Sequence, residues 1–184
     1  MNPDAVRSAS DQYVRHPREI AAAITLPAAC AALVAPGPAA VTTATAAAIT
    51  TACGALATRM ALVRELADPA VPVARAVRPY DPFHDDTPTS LHGVGPTPDL
   101  VRVRTAGDRC VAVWQAWKRQ GSPRDERIGV AGALALAAWC AWATGSTARA
   151  EVRARYALET DPRDPLAGLV LRSVLAGAAP AWRG

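Results

Sequence analysis

The stretch YDPFHDDTPTSLH, residues 80–92, gathers Asp81, His84, Asp85, Asp86 and His92. Imidazole and carboxylate groups are ligands for divalent cations. Their spacing here matches no established ligand set, and the segment is rich in proline, so it is expected to be a solvated acidic loop. Ser90 and His92 are too near in sequence to act as nucleophile and base. The chain has no Gly-x-Ser-x-Gly elbow, phosphate loop or dinucleotide-binding glycine pattern. No residue is assigned a catalytic, cofactor-binding, metal-binding or partner-binding role. No cofactor is expected, and the chain is read as not an enzyme.

Two other groups of residues invite a functional reading. Trp114 and Trp117, and Trp139 and Trp142, form two pairs at helical i, i+3 spacing that could line a peptide groove. Such pairs more often belong to a core, and that is the expectation. Arg102, Arg104, Arg109, Lys118, Arg119, Arg124 and Arg127 gather between 102 and 127 and could meet phosphate. Asp108, Asp125 and Glu126 are interleaved with them, so a solvated face is expected. Cys30, Cys53, Cys110 and Cys140 lie in apolar helical contexts without metal or redox spacing, which predicts buried free thiols.

Composition limits the elements that hold these residues. Hydrophobic residues make up 51% of the 184, but nearly half of them are alanine, with one Phe and three Tyr. Alanine is the best helix former and a poor core filler. The expected fold is therefore all-α, with helices in close contact through small side chains. Of the 20 basic residues only Lys118 is lysine, and the net charge is +4 against 16 acids. A bias to Arg and Ala reads as compositional habit rather than as a design for phosphate.

Three regions follow. In residues 1–67 a helix starts at His16-Pro17, meets Pro27 and ends before Pro36-Gly37-Pro38. A second helix is expected from about Ala39 to Ala67, with Val41, Ile49, Leu56, Met60 and Val63 on one stripe. Together they make a hairpin. Residues 68–107 form a proline-rich connection in which Thr97-Pro98-Asp99 could cap a short helix, the preferred reading, or Val101 and Val103, alternating with Arg102 and Arg104, could form a short strand. In residues 108–184 helices are expected at about 108–120, at RIGVAGALALAAWCAWATG ending on Gly145, at 148–160 behind Ser146 or Thr147, and from Asp164-Pro165 to about Ala176.

Residues 20–58 carry no charge, which raises the question of a membrane span. The first part is short for a span and holds a proline, and the second is alanine and threonine rather than Leu, Ile, Phe and Val. No aromatic belt flanks either part. Helices buried in a soluble protein are the simpler expectation. The N-terminal MNPDAVRSASDQYVRHPRE lacks the pattern of a signal peptide, and with the free thiols it points to the cytoplasm.

In GSTARAEVRARYALETDP, residues 145–162, the order Gly145, Ala150, Ala157, Pro162 resembles the second half of a tetratricopeptide repeat. The first half departs from it, with Leu134, Ala138 and Ala141 where the repeat usually has Trp, Gly and Tyr. More specifically, VAVWQAW (111–117) and ALALAAWCAWATGSTARAEVRARYALETDPRDPLAGLVL (133–171) resemble the C-terminal end of an actinobacterial family known only as domain of unknown function 4192. REIAAAI and the PGPAAV that follows echo the middle of that family. Its members usually begin with an α/β portion, which this chain lacks. The resemblance implies a helical fold and no catalytic residue.

The reading is an all-α helical bundle, with an N-terminal helical hairpin and a C-terminal tetratricopeptide-like unit. It is expected to act as a non-enzymatic protein-protein interaction or scaffold module, with a protein partner or self-association. The alternatives are a small basic nucleic-acid-associated protein and a membrane-associated helical hairpin.

Overall fold

The computed structural model describes the backbone of residues 3–70 and 72–183, and the side chains of 17–70 and 72–183. Met1, Asn2 and the side chains up to His16 lie outside the described residues, and so do the features of the N-terminal segment read above. The fold is all-helical: α1 (Pro3–Val34), α2 (Thr43–Ala52), α3 (Leu56–Ala67), α4 (Leu100–Arg119), α5 (Arg127–Ala143), α6 (Thr147–Thr160) and α7 (Pro165–Leu175). Among the described residues there is no strand.

The centre of the fold is α5, which is buried without interruption from Gly129 to Ala143. It packs along its length against α4 and α6, and α7, α2 and α3 close the remaining sides. A helix enclosed on every side needs small residues wherever a neighbour crosses it. Two crossings require glycine. A Cβ on Gly129 would sit 2.2 Å from the Thr50 carbonyl oxygen, and one on Gly132 would sit 2.1 Å from that of Cys53. On the opposite side Ala150, Ala154 and Ala157 of α6 are fully buried.

Three expected boundaries shift. α1 starts at Pro3, well before His16-Pro17, and continues through Pro17 and Pro27. Each proline removes one backbone bond, and near the second Thr25 donates its hydroxyl to the carbonyls of Ala21 and Ala22. The expected second helix is two helices whose axes differ by 111°, with an elbow at Cys53-Gly54-Ala55. Thr58 of α3 donates its hydroxyl to the carbonyls of Ala52 and Ala55, satisfying groups that the break leaves open. α4 begins at Leu100, so residues 100–107 are helical. The Asp99 carboxylate accepts from the N–H groups of Val101 and Arg102 at 2.9 and 3.0 Å, a full N-cap for a long helix. The ends of α5, α6 and α7 fall where the sequence places them. Gly145 has φ +77° after α5, and Asp164 accepts from Ala167 N–H at 2.9 Å ahead of Pro165.

Buried arginines join distant parts of the chain. Arg59 of α3 donates to Asp164 at 2.5 Å, with side-chain exposures of 5% and 2%. Asp164 thus serves as the cap of α7 and as the counter-ion of α3. Arg109 of α4 is 4% exposed and pairs with no carboxylate among the described residues. Its guanidinium donates to the carbonyls of Ala32, Leu33 and Ala35 at 2.7–3.1 Å and to that of Pro38 at 3.0 Å. These are the open carbonyls at the C-terminal end of α1, where the helix dipole also favours a cation.

Two outcomes are expected from urea unfolding. Gly132→Ala should lose about 2 kcal/mol or more, because its methyl group meets a backbone oxygen. Gly168→Ala, whose nearest neighbour is the mobile Arg172 guanidinium at 3.3 Å, should gain roughly 0.5 kcal/mol from helix propensity. In a double-mutant cycle Arg59→Met and Asp164→Asn should each cost about 3–5 kcal/mol. Together they should cost clearly less than the sum, since neither then strands a buried charge.

Candidate functional site

Of the residues that could do chemistry in the 80–92 segment, Asp81, His84 and Asp85 are engaged in building the segment itself, and Asp86 is exposed. Arg78 grips Asp85 through two bonds, at 2.8 and 2.5 Å. The same carboxylate accepts from Asp81 N–H at 2.8 Å. Asp81 in turn accepts from Phe83 N–H at 2.9 Å and pairs with His84 Nδ1 at 2.7 Å. His92 lies apart, in the short 3-10 turn Thr89–His92. Among the described residues no group of three or more His, Cys, Asp or Glu side chains converges on a point where a metal would sit. Hydrogen bonds from Arg78 and from Asp81 N–H hold the Asp85 carboxyl down at about 2. Asp81 is lowered too, chiefly by the Phe83 N–H.

What this frame does is present Phe83. The only phenylalanine of the chain is 90% exposed at the tip of the loop. Beside it, Pro79, Tyr80 and Pro82 form one wall of an open cleft of about 560 Å³. Glu19 and Ala23 of α1 form the second wall, and the elbow with the start of α3 forms the floor through Ala55, Leu56 and Met60. Tyr80 N–H bonds to the Ala57 carbonyl at 3.0 Å and ties the loop to the elbow. Among the described residues, the only charged side chain lining the cleft is Glu19. Leu56 is 42% exposed, and Ile20 and Ile24, the next residues around α1, are 47% and 74% exposed. An apolar surface thus extends from the cleft over the outer face of α1. From Pro17 to Val34 this helix is long and apolar enough to cross a membrane by length and composition.

The tryptophans are core residues that fasten irregular segments to helices. Trp117 N–H reaches the Pro123 carbonyl at 2.9 Å, Trp139 N–H that of Ser90 at 3.3 Å, and Trp142 N–H that of Ala178 at 2.8 Å. Trp114 is half-buried and lies 5.3 Å from the Tyr156 ring. Trp117 also lines an open cleft of about 460 Å³ between α2 and α4.

The basic segment is divided. Arg109 is buried on α1, and Arg102 donates to the carbonyls of Asp68 and Ala70. Arg104, Lys118, Arg119, Arg124 and Arg127 are exposed. Arg104 shares a shallow open hollow of about 510 Å³ with Ser146, Thr147 and Arg149. The four cysteines are free and buried. Burial pushes the Cys30 thiol up to about 11 and those of Cys53 and Cys140 to about 12, with Cys110 also raised well above its ordinary value.

Phe83 and the cleft were missed by sequence reasoning. The signal available was the single phenylalanine, set among charges where burial is unfavourable. Because Asp85 is lowered from an ordinary 3.8 to about 2, the frame is fully held above about pH 4 and loosens as pH falls toward 2. The protection factor of the Phe83 amide, its exchange relative to the intrinsic rate at each pH, should therefore fall through that window while α5 stays protected. Asp85→Asn should show the low protection already at neutral pH.

Residues 98–181 match the model of a protein family described as a domain of unknown function, DUF4192. The matched part spans α4 to α7 and the segment that follows; the walls and floor of the cleft come from outside it. No curated protein and no solved structure matches the chain. Across residues 98–181, then, this chain is similar to the DUF4192 family.

Proposed function

We propose that the chain is a non-enzymatic, cytoplasmic helical module that binds another protein through the cleft between α1, the elbow and the 79–87 loop. The observation that carries this reading is the exposed apolar surface at that place. Phe83 at 90% exposure, with Ile20, Ile24 and Leu56, borders a cleft with one charged lining residue. Large apolar side chains clustered around a concavity are the usual anchors and sockets of protein contacts. The rest of the fold acts as scaffold in this reading. Its α5–α6 pair is of tetratricopeptide type, with Gly145 at the turn and Ala150 and Ala157 fully buried. The nucleic-acid alternative is weakened because Arg102 and Arg109 are engaged with backbone carbonyls.

Ala23→Arg places a long charged side chain in the cleft at a half-buried helical position. The variant should melt within a few degrees of the parent. It should bind any stoichiometric protein partner, purified and added back, at least tenfold more weakly, about 1.4 kcal/mol. Equal binding by parent and variant would overturn the assignment of the cleft. A gel shift on DNA or RNA that vanishes with salt would favour the nucleic-acid reading instead.

A further inference from the structure

We propose that the occupant of the cleft is Phe83 of a second copy of this chain, so that two copies exchange phenylalanines across a two-fold axis. This rests on the cleft being the protein-binding surface, and it names the partner. The first argument is self-complementarity. In a two-fold interface the same patch serves both sides, so it must carry a projection and its socket close together. Here Pro82 lines the cleft, and Phe83, the next residue along the loop, is 90% exposed. The Asp85 carboxylate, accepting from Arg78 and Asp81 N–H, and the Asp81 carboxylate, accepting from Phe83 N–H, fix the loop that presents the ring, so little ordering remains to be done on association.

The second argument is size and chemistry. An apolar cavity of ~150 Å³ holds a benzene molecule, and the cleft measures about 560 Å³. It is open, and its lining is apolar apart from Glu19 and a few hydroxyl and backbone groups. The third is area. Covering Phe83, Ile20, Ile24 and Leu56 in both copies would remove on the order of 1,000 Å² from water, close to the ~1,200 Å² at which specific interfaces begin. The loop and helix backbone between these side chains supplies the remainder. Isolated in water, a nearly fully exposed phenylalanine contributes nothing to folding. In the exchange it becomes the central anchor of the interface.

The test is sedimentation over a range of concentrations. The full chain should form a discrete species of twice its 19.1 kDa mass. Phe83→Ala should raise the dimer dissociation constant at least tenfold, and so should Ala23→Arg. The first lacks the projection but keeps the socket, and the second keeps the projection but blocks the socket. Mixed together, they should form a heterodimer more tightly than either forms a homodimer, because one of the two exchanges is restored. Circular dichroism melts of both variants should match the parent, which separates loss of pairing from loss of fold. A dimer unaffected by both changes would overturn the exchange. A monomeric parent that binds a foreign protein in an Ala23-dependent way would overturn the exchange and leave the cleft as a binding site. A monomer with no such partner would remove both.

Discussion

The complete burial of α5 is the constraint that the rest of the structure serves. Gly129 to Ala143 touches no water, so five other helices must cover it. They can approach only where it offers hydrogen or methyl. The carbonyls of Thr50 and Cys53 lie over Gly129 and Gly132, so the elbow between α2 and α3 is seated on α5 by backbone contact. A sharp turn in the N-terminal region therefore owes its position to two glycines far along the chain. The cleft floor is the outer side of that elbow, which is why the cleft depends on a helix it does not touch.

Arginine performs the long-range joining. Arg109 closes the end of α1, and Arg59 meets Asp164 at the start of α7. Arg153 bridges Asp108 and the Ala137 carbonyl, and Arg183 reaches the Thr144 carbonyl just past α5. A planar guanidinium with five donors can satisfy several carbonyls at once, which a lysine ammonium does less well. Beside a core in which alanine is the commonest residue, such joints fix helices whose small side chains interlock weakly. The scarcity of lysine, read from composition as habit, has this structural use.

How much of this was legible in the sequence follows from how local each determinant is. The ends of α5, α6 and α7 were readable because Gly145 and Asp164-Pro165 sit beside the groups they cap, while Ser146 stands at the start of α6 without a side-chain cap bond. Burial of the cysteines and tryptophans followed from their apolar neighbours. The elbow was not readable, since Gly54 among alanines and threonines looks like an interior glycine until another helix presses there. Pro17 looks the same at a helix start and inside a long helix, so the beginning of α1 was misplaced. Arg59 and Arg109 were obscure because their partners lie far away in sequence. The cleft was obscure for the same reason, being assembled from three separated segments.

The order of the chain has a consequence for its synthesis. α1, α2 and α3 leave the ribosome before the helix they are to cover, and at ~5–20 residues per second that wait lasts several seconds. During it the elbow has nothing to rest on, and the faces bearing Leu26, Leu33, Ile49 and Leu62, all buried in the finished fold, are open to water. Alanine and threonine between them keep the waiting segment only weakly sticky. The poor filling power of the N-terminal helices thus favours a nascent chain that must stay available until its centre arrives.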